Sequence, residues 1–397
     1  MLLSLSLVIL FGLLANYLFS KLKLPGLLGM LLLGIALGPY GLNWLSSDLL
    51  LISSDLRKLA LIIILIRAGL GISKDALKKV GTAAIKFSFL PGLIEGFTIA
   101  SISMVFLGFS FIEGGILGFI IAAVSPAVVV PQMLKLSEKG LGTGKGIPTL
   151  ILAGASIDDV FAITLFTTFS GFYFGQQNNI VSQILGIPVS IMLGIGGGVL
   201  IGFLLSYIFT RFHMRDTKKV LLIIGIGILL TALESWLENR LNIAALLGVM
   251  TIGFILLEKK PEVSVRLSSK MNKIWVLAEI ILFVLVGAEV NIGVAINAGL
   301  IGLLIILIGL LGRGLGVVLA TMGSHLNWKE RVFCVIAYTP KATVQAAIGA
   351  IPLSMGVASG EIILAIAVVA ILFTAPLGAI GIEKSARLFL TEDKIES

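Results

Sequence analysis

Charge is scarce in this chain. Only 13% of its 397 residues are Asp, Glu, Lys or Arg, against about 25% in an ordinary soluble domain. Cysteine is almost absent: Cys334 stands alone, which excludes an intramolecular disulfide and says little about compartment. No basic start or small-residue cleavage site marks the first apolar run as a removable signal, so it reads as a span. Against these absences, 58% of the residues are hydrophobic, mean hydropathy is +1.12 and there are 46 glycines. That much apolar surface cannot be buried in a domain of this size and must face lipid. The chain is therefore expected to be an all-α polytopic membrane protein, with glycines permitting close helix packing.

Apolar runs mark about 13 spans at 2–20, 24–41, 56–73, 82–107, 113–134, 147–171, 183–211, 218–237, 241–257, 272–291, 294–322, 330–352 and 360–383. With the N-terminus outside, the inner loops and tail hold 22 of the 29 basic residues, and the outer loops hold only Arg57, Lys58 and Arg240. This asymmetry predicts an N-out/C-in topology. It also accounts for the net charge of +8 without a nucleic-acid partner.

The halves resemble each other weakly. Leu27-Leu28-Gly29 with Gly34 matches Leu246-Leu247-Gly248 with Gly253, at an offset of 219. Leu59-Ala60, Ile62-Ile63 and Gly69 match Leu277-Ala278, Ile280-Ile281 and Gly287, at 218. Ala123, Pro126 and Val130 match Ala337, Pro340 and Val344, at 214. Paired spans are separated by an odd number of spans, so the halves would be inverted, as in many transporters. The expected organisation is one membrane domain: a first six-helix repeat (1–171), a linker helix (172–217), a second repeat (218–383) and a short inner tail (384–397).

"AVSPAVVVPQ" (Ala123 to Gln132) and "AYTPKATVQA" (Ala337 to Ala346) fall at related places in the halves. Pro126, Pro131 and Pro340 each remove a backbone donor and clash with the preceding turn. The result is either a simple kink or a break, and a break at membrane depth needs a protein or water-filled surround. Lys341 beside the second site favours crossed, broken helices.

Asp158 and Asp159 are the only charges between Gly146 and Thr210. They lie about 17 Å into span 6, at 1.5 Å per residue, where a charge costs on the order of 2.5–3.5 kcal/mol. A protonated packing carboxylate is the plain alternative. Neighbours on a helix point about 100° apart, so one carboxylate can face a packed partner and the other a cavity. A buried carboxylate can exchange a proton, and its ionised form is a hard oxygen ligand for a small cation. Ser125 and Thr339, with unwound carbonyls, could complete the shell. A site holding either a proton or a cation, but not both, couples the two flows and yields antiport.

Glu95-Gly96 aligns with Arg313-Gly314 at the repeat offset, so these charges could meet near a pseudo-two-fold axis, or each could face its own cavity. Lys341 could neutralise inward carbonyls or pair with Asp158; unlike Arg313 it can lose its proton. Lys86 is expected to snorkel to the inner interface, Arg67 could reach inward, Glu279 could line an inner cavity, and Glu289 should reach the outer interface. His213 and His325 fall in inner loops, as surface histidines or pH sensors.

On these residues the chain resembles the cation/proton antiporter superfamily, in its two-aspartate branch. "LIRAGL" (Leu65 to Leu70), "LVGAEV" (Leu285 to Val290) and "PKATVQAAIG" (Pro340 to Gly349) are similar to sodium/hydrogen exchangers of the 9B type and their bacterial relatives. The resemblance implies a sodium (or lithium)/proton antiporter without cofactors in a cell membrane, the inner membrane if prokaryotic. It also implies a homodimer whose core domain (spans 4–6 and 11–13) moves like an elevator. Asp159 would be the principal cation and proton site, Asp158 its partner, Lys341 nearby, and Glu95–Arg313 a buried pair. One departure stands out. Where many members carry a lysine, span 11 offers only Arg313, which puts electrogenic stoichiometry in doubt. Potassium/proton antiport, sodium-coupled organic solute symport and a cation channel remain as alternatives. An intramembrane aspartyl protease does not fit, because its two aspartates must sit on separate helices.

Overall fold

The computed structural model describes residues 1–22, 26–72, 74–174, 180–237, 243–349 and 351–392. Lys23, Arg240 and Lys394 of the charge asymmetry lie outside the described residues. Among the described residues the backbone is helical, with only a single bridge between Leu141 and Glu392. In chain order the helices are α1 (Leu2–Lys21), α2 (Gly26–Leu37), α3 (Ser47–Leu51), α4 (Ser53–Gly69), α5 (Lys74–Phe87), α6 (Leu90–Leu107), α7 (Phe111–Ala122), α8 (Pro126–Glu138) and α9 (Ile147–Tyr173). They continue as α10 (Ile180–Arg211), α11 (Asp216–Leu237), α12 (Ala245–Lys259), α13 (Pro261–Ala288), α14 (Ile292–Ala320), α15 (Trp328–Ala337), α16 (Thr343–Ile348), α17 (Ile351–Ser354) and α18 (Gly360–Phe389). Among the described residues, nine helical stretches are long and apolar enough to cross a membrane.

Several expected spans are subdivided or extended. The run 82–107 is two helices, because Pro91 supplies no N–H and the chain turns at Ser88 and Phe89 before α6. The run 330–352 becomes α15, α16 and α17 around Pro340 and Pro352. The run 294–322 is interrupted at Gly299, where φ of 53° suits a residue without Cβ. The run 272–291 starts earlier, at Pro261; its first turns carry polar residues that an apolarity criterion cannot register.

Packing divides the helices into two groups. In one, α2 lies against α1 and α13, α4 against α12 and α13, and α10 against α12. In the other, α6 packs on α7 and α14, α9 on α5, α7 and α8, and α18 on α14 and α15. The groups meet chiefly where α9 touches α10 and α8 touches α4. Glycine sets the closest crossings. A Cβ on Gly287 of α13 would come within 3.1 Å of Gly34 Cα on α2, and one on Gly69 of α4 within 3.1 Å of Gly253 Cα on α12. Burial identifies the central element: the apolar window of α7–α8 is 94% buried, that of α1 only 17%.

Candidate functional site: a charged cluster between two broken helices

The centre of the second group is a pair of helix breaks. α7 ends at Ala122, Ala123 and Ser125 are extended, and α8 restarts at Pro126 in its first-turn position. Opposite it, α15 ends at Ala337 and α16 begins at Thr343. Each break leaves backbone groups without helical partners, and the two segments satisfy one another. Ser125 N–H donates to the Pro340 carbonyl at 2.8 Å. Gln345 Nε2 reaches the carbonyls of Ile120, Ile121 and Ala123 at 3.0, 3.2 and 2.9 Å. Arg313 Nη1 donates to the Ala122 carbonyl, and Lys341 Nζ lies 3.4 Å from the same oxygen. Thr374 Oγ1 on α18 accepts from Lys341 N–H at 2.8 Å.

Charge is then closed into a neutral group of four. Arg313 on α14 bonds Glu95 Oε2 on α6 at 2.5 Å and Asp158 Oδ2 on α9 at 2.8 Å. Lys341 Nζ bonds the same Glu95 oxygen at 2.6 Å. All four side chains are at most 1% exposed. Two carboxylates thus face two cations, which is the condition for keeping charge in a low-dielectric interior. The Tyr338 ring lies 4.9 Å from the Arg313 guanidinium carbon and packs edge-on against Phe87. Gly92 makes room, since a Cβ there would stand 2.8 Å from Asp158 Oδ1.

The adjacent aspartates occupy different environments. Asp158 Oδ2 also accepts the Val124 N–H at 2.9 Å, which ties α9 to the break in α7. Asp159 is partly exposed, makes none of the cluster's ion pairs, and carries a buried Oδ1 with no hydrogen-bond partner among the described residues.

The structure brings together Glu95, Asp158, Arg313 and Lys341. Lys341 does not pair with Asp158: its ammonium goes to Glu95 Oε2, while Arg313 and the Val124 N–H hold Asp158 Oδ2. Ser125 is buried next to Val124, its hydroxyl 3.4 Å from that of Thr343. Thr339 donates its hydroxyl to Ile336 of α15 at 2.9 Å. Arg57 and Ser53 bind Glu289, and Arg67 pairs with Glu138 across the helix groups. Sequence reasoning missed Gln345, Tyr338 and Gly92. Gln345 had a signal: a lone amide inside an apolar run beside a proline break.

Comparison with known proteins gives an independent result. Residues 6–384 match the family model described as sodium/hydrogen exchanger, transmembrane. The chain belongs to the sodium/hydrogen exchanger family. Sodium/hydrogen exchanger 9B2 of Mus musculus is 35% identical over 378 residues, covering 90% of this chain and 67% of that one. Sodium/hydrogen exchanger 9B1 of Homo sapiens is 33% identical over 381 residues, covering 90% and 71%. The fold matches that of the sodium proton antiporter MjNhaP1 from Methanocaldococcus jannaschii at pH 8, with a TM-score of 0.76, 22% identity and 97% of each chain covered. As a sodium/hydrogen exchanger family member, the chain is a multi-pass membrane protein of a transporter family and not of an enzyme family.

Proposed function

We propose that the chain exchanges sodium or lithium for protons across a membrane, with cation and proton competing for Asp159. The observation that carries this reading is the contrast between the two aspartates. Asp158 belongs to a closed, neutral cluster, whereas Asp159 is the additional carboxylate, partly exposed and outside every ion pair of that cluster. A charged group in that position needs a counter-ion, and either a proton or a small cation provides one. Asp158, Arg313, Glu95 and Lys341 hold the break in shape around it. Ser125 and Thr339 are the hydroxyls proposed to complete the cation's oxygen shell. The names of the relatives, sodium/hydrogen exchangers and a sodium proton antiporter, support the same chemistry. No cofactor is required.

The topology proposed is N-out/C-in, with the inverted repeats 1–171 and 218–383, the linker 172–217 and the tail 384–397. Two pairs of contacts support the repeat. Gly34–Gly287 and Gly253–Gly69 are the same crossing under the offset of 218 to 219. Glu95–Arg313 and Ser125–Thr343, each 218 apart, meet as pairs near the would-be axis. Alternating access is proposed to be an elevator motion of the α5–α9 and α14–α18 group against the other, within a homodimer.

The test uses purified protein in liposomes with an imposed pH gradient and an interior pH dye. Sodium or lithium should collapse the gradient, choline should not, and Asp159→Asn should abolish the response. Raising external proton concentration tenfold should raise the apparent KM for sodium up to about tenfold, as competition for one carboxylate requires. Flux of sodium without proton movement would point to a channel or solute symporter instead.

A further inference from the structure

A second polar cavity lies away from the charged cluster. It has a volume of about 610 Å³ and is bounded by the end of α5, the loop before α9 and the loop between α14 and α15. Lys86, Lys145 and His325 line it, together with Thr82, and none of its lining residues is acidic. Lys145 is tied to the buried Glu330 at 2.8 Å. Lys86 and His325 are exposed and have no carboxylate within ion-pair distance among the described residues. The cavity therefore carries a positive excess, with ammonium and imidazole donors. Its size is that of a small-ligand site.

Exposed apolar side chains in the lining and next to it in the chain point to the kind of occupant. Ile85, next to Lys86, is 65% exposed, and Met322, on the opposite wall, is 54% exposed. Trp328, at the start of α15 beyond the same loop, is 65% exposed. Exposed apolar side chains on a protein of this class face acyl chains, and an exposed tryptophan at a helix end marks the headgroup level. A cationic cavity opening beside an apolar rim at that level fits a molecule with an anionic head and a hydrocarbon tail.

We propose that this cavity binds an anionic phospholipid, its phosphate-bearing headgroup held by Lys86, Lys145 and His325 and an acyl chain lying along Ile85 and Met322. The site is built entirely from the helix group that contains the charged cluster. α5 also links them, because Phe87, one residue after Lys86, packs on Tyr338 at 4.3 Å between ring centroids.

The experiment is lipid binding to the full chain in detergent, read by native mass spectrometry and by thermal midpoint. The probes are phosphatidylglycerol, phosphatidylcholine and inorganic phosphate, applied to wild type, Lys86→Gln and the Lys86→Gln/His325→Gln double variant. Phosphatidylglycerol should bind at least tenfold more tightly than phosphatidylcholine and raise the midpoint. The single variant should lose part of this preference and the double variant most of it. Both variants should keep the wild-type midpoint in phosphatidylcholine, which separates loss of the site from misfolding. A single variant with unfolding in neutral lipid would be replaced by Lys86→Arg, which should retain the preference. Equal binding of the two lipids, or an unchanged preference in the folded variants, would overturn the proposal. So would full stabilisation by inorganic phosphate alone, which would assign a soluble anion.

Discussion

Adjacent residues of identical chemistry do different work here because a helix turns about 100° per residue. Asp158 faces Arg313 and the Val124 N–H, while Asp159 is partly exposed and takes part in none of the cluster's ion pairs. The two Asn substitutions should therefore separate. Asp158→Asn leaves a guanidinium with one buried counter-ion fewer, and breaking a buried pair costs about 3–5 kcal/mol; its thermal midpoint should fall. Asp159→Asn removes none of the cluster's pairs, so its midpoint should stay near wild type while exchange is lost. Equal destabilisation in the two variants would contradict the assignment. Arg313→Lys is informative for the same reason. The guanidinium reaches Glu95, Asp158 and the Ala122 carbonyl from two nitrogens, and an ammonium cannot span that fork. It should melt between wild type and Arg313→Gln in a thermal scan, and a wild-type midpoint for Arg313→Gln would refute a structural role for the cluster.

The helix breaks depend on a side chain that carries no charge. Gln345 bridges from α16 to the carbonyls of Ile120, Ile121 and Ala123. Gln345→Leu keeps the volume but removes the donors, and each carbonyl left unsatisfied costs about 1–3 kcal/mol. Amide hydrogen exchange should rise across residues 120–130, with little change in α1. No change there would mean the two breaks hold without the bridge. Much of this element-scale picture was legible in the sequence. Pro126 and Pro340 located the breaks, and the spacing of Glu95 and Arg313 located their meeting. The partner of Lys341 was not legible, since both carboxylates were available by sequence and only the placement of Nζ in three dimensions, 2.6 Å from Glu95 Oε2, decides between them. The turn before Pro91 was also hidden, because apolar residues on both sides kept the run continuous. Gln345 could be seen as an oddity in an apolar run, but its reach across the opposite break is a tertiary fact.

At the scale of the molecule, the charged contacts between the two helix groups among the described residues include Lys74 N–H to Glu258 of α12 at 2.8 Å and an ion pair between α4 and α8. Arg67 on α4 reaches Glu138 on α8 at 3.5 Å, with Glu138 still 62% exposed on its side chain. A long pair with one solvent-exposed partner contributes on the order of 1 kcal/mol, so it can open if the groups slide. A covalent tie at the same place cannot. Cys334 is buried and is the chain's single cysteine, so a Cys334→Ala background leaves introduced thiols unambiguous. With Arg67→Cys and Glu138→Cys in that background, a short thiol cross-linker should stop sodium/proton exchange in proteoliposomes. The un-cross-linked double variant should remain active, and a cleavable linker should restore exchange on reduction. A control tie within the first group, between position 58 of α4 and position 235 of α11, which packs on α12 and α13, where Lys58 Nζ meets Ser235 Oγ, should leave exchange running. Continued exchange with the 67–138 tie in place would mean the groups do not need to move apart, and the carboxylate would then have to be reached from both sides of a static frame.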